Sequence, residues 1–171
     1  MKSSSKYQPH TLSTPILTRL RFFTSSDEPT GRLALVFELM DMNMYEAIKG
    51  RRHYLPEPRV KYYMYQVLKS IDHMHRNGIF HRDIKPENIL LDANWSVAKV
   101  ADFGLSRATA VGSGDGSNDE GAEYYRSQSG TFPVRWTSPE AMQEMKFTTA
   151  SDVWSYGVTL LEIYTGGLKP Y

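Results

Sequence analysis

The sequence contains no cysteine. Disulfides, thiolate metal sites and a thiol nucleophile are therefore excluded. It also lacks a long uncharged apolar run, since the longest, near "VWSYGVTLLEIY", contains Glu162 and is too short to cross a bilayer. The start "MKSSSKYQPH" has none of the apolar character of a signal peptide. We expect an intracellular protein without a membrane span, in the cytoplasm or alternatively in the nucleus.

No sign of charge dominates either. The chain has 20 Lys and Arg against 19 Asp and Glu, a net charge of +1, so nothing in its overall charge attracts nucleic acid. Its 171 residues, 40% of them hydrophobic, suffice for one medium globular domain with a real core. Residues 1–15 are polar and rich in Ser and Thr, and we expect a disordered tail there.

The hydrophobic patterns predict an α+β fold. Residues 16–23 and 32–40 are typical of two strands joined by a connection that contains Pro and Gly. "NMYEAIKG" suits a short helix closed by Gly50. The clearest helix follows, because apolar residues recur at steps of three and four: Val60, Tyr63, Met64, Val67, Leu68, Ile71 and Met74. Asn77-Gly78 suits its C-terminal end.

The second half alternates short elements with loops. "ILL" and "VAKV" indicate a hairpin around Asp92-Ala93-Asn94, and "SPEAM" a short helix. Residues 110–129, rich in Gly, Ser and acid, predict a long mobile loop. "SDVWSYGVTLLEIYTGG" is apolar on almost every face, with Ser151 or Asp152 near its cap. We expect this helix in the middle of the domain.

The stretch "IFHRDIKPENILL" places an Asp, a Lys and an Asn on one short loop. Phosphoryl transfer needs an acceptor for a hydroxyl proton, oxygen ligands for a divalent cation and a positive charge near the transferred group. Asp83, Lys85 and Asn88 offer these groups. After the hairpin the chain reaches "ADFGLSR", where Asp102 can share a metal with Asn88.

H-R-D-x-K-x-x-N, then D-F-G, then S-P-E, in that order, resembles the signature set of protein kinases. The resemblance implies a protein-kinase-like fold, mainly the helical C-lobe with the last N-lobe strands: 16–36 as an N-lobe remnant, 37–43 as the hinge and 44–171 as an incomplete C-lobe. It also implies ATP and Mg²⁺ as cofactors and a protein as substrate.

The same resemblance implies roles for individual residues. In the chemistry, Asp83 would be the catalytic base, Lys85 the phosphate contact, and Asn88 and Asp102 the metal ligands. At the nucleotide, the implied residues are the gatekeeper Phe37, the hinge residues Glu38 and Met40, and Leu90 beneath the adenine. Structural and regulatory roles fall to His81 packed on Phe103, to Asp152 under the catalytic loop, to Glu140, and to Arg82 with Tyr124 and Tyr125 as phosphorylation sites.

Plainer interpretations compete with some of these. Asp83 and Arg82 could form a surface ion pair, and Phe37 is a core strand residue on any interpretation. His73 and His75 are expected to face solvent. "KGRRH" (49–53) is expected to be a solvated turn rather than a docking site. Lys99, in "VAKV", follows the catalytic loop and so is not the strand lysine of a kinase.

The two halves resemble different branches. Residues from "FELMDMNMYEAIKGRRHYLPE" onward resemble MAK/MOK-type MAP-kinase-related enzymes, whereas "PVRWTSPEAM" resembles tyrosine kinases. Lys85 favours transfer to Ser or Thr, and "PVRW" favours Tyr, so a tyrosine or dual-specificity kinase is an alternative to a Ser/Thr kinase. No Gly-rich loop or strand lysine precedes residue 16, so we expect little or no activity from 1–171 alone. The alternative is a non-catalytic kinase-like scaffold. The sequence predicts no oligomeric state.

Overall fold

The computed structural model describes residues 20–24, 33–108, 124–127 and 132–171, with only the backbone of 20–24 and 33–36. The predicted tail 1–15 and most of the predicted loop 110–129 lie outside the described residues.

Two antiparallel strands come first: β1 (Leu20–Thr24) and β2 (Leu33–Phe37), in a register that pairs Leu20 with Phe37. Both predicted strands are present, although β2 ends earlier than expected. Phe37 is 47% exposed, so the prediction of a core residue is wrong. Strand β2 ends at Phe37. Among the described residues, no second layer of structure covers this end of the two-stranded sheet.

Helix α1 (Met44–Ile48) and helix α2 (Glu57–Arg76) follow β3 (Met42–Asn43). A capping box fixes the start of α1: the Glu46 backbone N–H donates to Asn43 Oδ1 at 2.9 Å, and the Asn43 N–H donates to Glu46 at 3.2 Å. The predicted stripe of α2 is buried except for Leu68, which is 44% exposed. Leu68 lies at the border of the stripe, where periodicity alone does not decide burial.

Short strands then position the loops between them. The predicted hairpin is present as β5 (Ile89–Leu91) and β6 (Ala98–Val100), and β3 adds to it as a third antiparallel strand. Two further antiparallel pairs are β4 (Ile79–Phe80) with β7 (Arg107–Ala108), and β8 (Tyr125–Arg126) with β9 (Lys146–Phe147).

Helix α3 (Pro139–Glu144) and helix α4 (Thr149–Tyr164) complete the described fold. Helix α4 packs against α2, but one side of this predicted central helix is exposed. Its buried face carries the polar residues Ser151, Asp152, Ser155, Thr159 and Glu162, whereas its exposed residues include Val153, Trp154, Leu161 and Tyr164. No helix in the described ranges is long and apolar enough to cross a membrane.

Candidate active site

The loop between β4 and β5 is held from below by one buried carboxylate. Asp152, in the first turn of α4, accepts the backbone N–H of His81 at 2.9 Å and that of Arg82 at 2.8 Å. His75 Nε2, on α2, lies 2.9 Å from the same carboxylate. Three elements therefore meet at Asp152, which is 1% exposed.

The three polar residues that the sequence places on this loop lie together. Lys85 Nζ is 2.8 Å and 2.9 Å from the two carboxylate oxygens of Asp83. The Asn88 amide donates to both the backbone carbonyl and the carboxylate of Asp83, each at 2.8 Å. Asp83 is 5% exposed, so the expectation of a surface ion pair with Arg82 is wrong. The carboxylate has a fixed direction before any substrate binds.

The β5–β6 hairpin carries Asp102 to the same place. Ile89 pairs with Val100, and the Ala101 backbone N–H donates to the Asn88 carbonyl at 2.9 Å. Asp102 is the next residue, is exposed, and accepts the Gly104 N–H at 3.2 Å. No hydrogen bond among the described residues engages Asn88 Oδ1. A carboxylate and an amide oxygen are ligands that suit Mg²⁺, so these two residues fit that ion.

His81 and Phe103 form an edge-to-face pair with ring centroids 5.4 Å apart. His81 is fully buried, and burial lowers the pKa of its imidazole. Its Nε2 lies 3.0 Å from the Ala101 carbonyl, which can only accept, and its Nδ1 accepts the Asp83 N–H at 3.2 Å. The ring is therefore neutral with its proton on Nε2, and it joins the two loops.

Two residues of the site adopt left-handed backbone conformations that are uncommon for side chains other than Gly. These are Arg82 (φ 69°) and Asp102 (φ 60°). A hydrogen bond holds each of them: the Arg82 N–H donates to Asp152, and the Gly104 N–H donates to the Asp102 carboxylate. A Cβ at Gly104 would lie 3.2 Å from Asp102 Oδ1, so this turn is tight. Strain of this kind concentrates at functional sites.

The Arg82 side chain leaves the loop and enters the segment around β8. Its guanidinium lies over the rings of Tyr125, at 4.7 Å, and Phe147, at 4.2 Å, and it donates to Ser127 Oγ at 2.9 Å. Tyr124 instead lies under the ammonium of Lys146, at 3.9 Å. The structure thus brings Arg82 to Tyr125.

The predicted hinge is tied to the hairpin. Glu38 Oε1 lies 2.6 Å from Lys99 Nζ, and Lys99 pairs with Leu90 across β5 and β6. Met40 and Leu90 are half-buried. Lys99 is thus an ion-pair partner of the hinge.

Among the remaining predicted residues, Glu140 is exposed in the first turn of α3 and makes no ion pair within the described part of the chain. The expectation that His75 faces solvent is wrong, because its side chain is 15% exposed and contacts Asp152.

Sequence reasoning also missed Glu162 as a buried polar residue. It is 1% exposed and accepts the Trp136 indole N–H at 3.1 Å, while its Oε1 has no partner in the described residues. Burial and the neighbouring Glu87 raise the pKa of Glu162 to about 7.

Residues 9–170 match the family model described as the protein kinase domain. The chain belongs to the protein kinase family. Similar kinases include the MAPK/MAK/MRK overlapping kinase of Mus musculus, 47% identical over 139 residues, and that of Homo sapiens, 45% identical over 139 residues. Each of these alignments covers 80% of this kinase chain and 30% of the relative.

The tyrosine-protein kinase ZAP-70 of Mus musculus is 34% identical over 164 residues, which cover 95% of the chain and 24% of that relative. The predicted mixture of two kinase branches is therefore confirmed. The chain spans about a third or less of the length of these relatives.

Proposed function

We propose that this chain provides the hinge and catalytic loop of a kinase that transfers the γ-phosphate of ATP to hydroxyl groups of proteins. The observation that carries the proposal is the cluster of Asp83, Lys85 and Asn88. The backbone N–H of Ala101, the residue before Asp102, donates to the Asn88 carbonyl and so joins Asp102 to this cluster. Because the reaction consumes ATP, we place the protein inside the cell, in the cytoplasm or the nucleus.

The residues divide the work as follows. Asp83 accepts the proton of the attacking hydroxyl, and the Asn88 amide keeps its carboxylate oriented. Lys85, which neutralises Asp83 in the absence of substrate, turns to the transferred phosphoryl group. Asn88 and Asp102 hold Mg²⁺, which neutralises charge on the nucleotide phosphates.

The backbones of Glu38 and Met40 bind the adenine, and Leu90 lies beneath it. Phe37 is the gatekeeper at the rear of this pocket. The Glu38–Lys99 ion pair supports the proposed hinge, because it fixes the hinge to β6, where Lys99 pairs with Leu90 of the adjacent strand β5.

We assign Ser and Thr as the preferred acceptors, because Lys85, which favours these acceptors, directly contacts the proposed base Asp83. Tyrosine is the second candidate. The segment Val134–Trp136 forms a turn whose Trp136 is anchored on Glu162, and this turn is the part of the chain that resembles tyrosine kinases. A tyrosine side chain is longer, so the height of this turn relative to Asp83 decides between them.

The regulatory proposal concerns Tyr125 rather than Tyr124. The guanidiniums of Arg82 and Arg107 lie 4.7 Å and 5.8 Å from its ring. A phosphate on Tyr125 adds about −1.5 to −2 charge and would pair with these two cations.

The test uses the longest natural polypeptide that carries residues 1–171, incubated with Mg²⁺, labelled ATP and a mixed peptide library. We expect phosphoserine and phosphothreonine, and a loss of about 10²–10⁴-fold in rate for Asp83→Asn. Asp72→Asn, which changes an exposed carboxylate on α2 that pairs with Arg76, is the control. Phosphotyrosine alone would establish the second candidate, absence of transfer would favour the scaffold, and transfer that survives Asp83→Asn would contradict the role of Asp83 as base.

A further inference from the structure

Four exposed cations and one half-buried tryptophan lie on the end of α1, the segment that follows it, the start of α2 and the β5–β6 turn. This basic–aromatic surface consists of Lys49, Arg51, Arg52, Arg59 and Trp95. We propose that it binds an acidic segment of a partner protein, at a site separate from the catalytic loop.

Direct contacts join the members of this surface. The Arg51 guanidinium lies 4.9 Å from the Trp95 ring centroid. The Trp95 carbonyl accepts the Tyr63 hydroxyl at 2.8 Å, and that hydroxyl in turn accepts from Arg59 Nη1 at 3.2 Å. Tyr63 is fully buried, so Arg51 and Arg59 are connected through a rigid centre.

The positive charge of this surface is not neutralised locally. Within the described part of the chain, none of its four cations forms a salt bridge. The acidic residues of the same segments have other partners: Glu57 pairs with Lys61 at 2.6 Å, Glu46 caps α1, and Asp92 accepts backbone N–H groups of its own turn. By contrast, Arg76 at the other end of α2 has its own partner in Asp72, at 2.8 Å. The chain as a whole carries only +1, so this surface is a local concentration of charge.

The sequence favoured a solvated turn at residues 49–53 over a docking site. The backbone conformation of Trp95 favours a binding role for this surface instead. Trp95 adopts a left-handed conformation (φ 57°), which is costly for a bulky residue. Asp92 keeps the turn in this shape, since its carboxylate accepts the backbone N–H groups of Ser96 and Val97, each at 2.7 Å. The turn holds the indole against Arg51 at the surface.

A peptide carboxylate suits these groups best among anionic ligands. The guanidinium fork binds carboxylates through two parallel hydrogen bonds, and Arg51 and Arg59 each carry such a fork. Arg51 already covers one face of Trp95, so that face is not open for stacking a nucleic acid base. An apolar side chain beside the carboxylates can pack on the indole edge. The fitting partner is therefore an acidic segment that alternates Glu or Asp with apolar residues.

The experiment measures the fluorescence anisotropy of a labelled short peptide of alternating Glu and Leu, titrated with the 1–171 chain. We expect saturable binding that weakens with salt, and no binding of the matched peptide with Gln in place of Glu. The double variant Arg51→Gln, Arg59→Gln should bind about tenfold or more weakly. Thermal melts of each variant verify that the fold is intact.

Lys69→Gln is the matched control, because Lys69 is also exposed on α2 and lies 5.7 Å from an aromatic ring, that of Tyr65. It should leave peptide binding unchanged. Equal losses in the double variant and the control, or no binding to the unaltered chain, would overturn the proposal. So would binding of single-stranded RNA or anionic phospholipid vesicles that depends on Arg51 and Arg59 while the acidic peptide does not bind.

Discussion

At the scale of single residues, His81 and Glu162 are titratable side chains that are almost fully buried, and burial shifts the pKa of each. His81 stays neutral because both ring nitrogens have partners that match the neutral form. Glu162 is buried on α4, where the indole of Trp136 donates to one of its oxygens. Glu87 and Lys169 are the charged groups that act on it, the first raising its pKa and the second lowering it.

Glu162 predicts a pH dependence of stability. Its pKa of about 7 in the folded chain exceeds its ordinary value of 4.5, so the folded state holds the proton more tightly. Stability from this group is fully present below pH 4.5 and is lost as the pH rises through 7. Glu162→Gln should remove this loss, which is on the order of 2 kcal/mol. Urea unfolding at pH 5 and pH 8 measures it, and equal pH slopes for the variant and the original chain would refute the assignment.

At the scale of elements, helix α4 acts as the base on which the catalytic loop rests. Asp152 fixes two backbone N–H groups of the loop, and Thr159 donates to the Ile84 carbonyl at 3.2 Å. Ser155 donates to the Trp136 carbonyl at 2.6 Å, which ties the Val134–Trp136 turn to the same helix. The buried polar face of α4 therefore organises both loops of the proposed site.

Asp152→Ala should be among the most damaging single substitutions. Two buried N–H groups and His75 would lose their acceptor, at a cost of about 3 kcal/mol in the free energy of unfolding. Asp72→Ala, which removes an exposed carboxylate paired with Arg76, should cost less than about 1 kcal/mol. Chemical denaturation of the two variants side by side checks this, and similar losses would contradict the role of Asp152.

Much of this element structure could be predicted from the sequence. The period of three and four predicted α2, and the turn residues predicted the β5–β6 hairpin, because both signals are local. The exposed side of α4 could not be predicted. Its apolar residues face several directions, and which side is buried depends on hydrogen bonds to loops distant in sequence. The contact of His75 with Asp152, 77 residues apart, escaped for the same reason.

The sequence predicted which residues form the candidate site better than it predicted their geometry. The order of motifs singled out Asp83, Asn88 and Asp102, since the chemistry of phosphoryl transfer needs those types of side chain. The left-handed backbone at Arg82 and the ion pair between Glu38 and Lys99 carry no local sequence signal. Each depends on packing against a segment far along the chain.

At the scale of the whole molecule, the described residues form a base on which a nucleotide and a hydroxyl substrate could meet. The loop after β4, the hairpin and the hinge converge from three places in the chain, and the basic–aromatic surface includes the turn of the same hairpin. The central claim is that Asp102 and Asn88 hold the metal of the nucleotide, whereas Lys85 serves the transferred group.

Isothermal titration of ATP, with and without Mg²⁺, tests that claim most directly in the longest natural polypeptide that carries residues 1–171. Mg²⁺ should tighten ATP binding, and Asp102→Ala should abolish this gain and weaken binding by about tenfold or more. Lys85→Ala should keep the Mg²⁺ dependence and bind ATP within about threefold of the original protein. Equal affinities of the two variants, or ATP binding that Mg²⁺ does not change, would contradict the account.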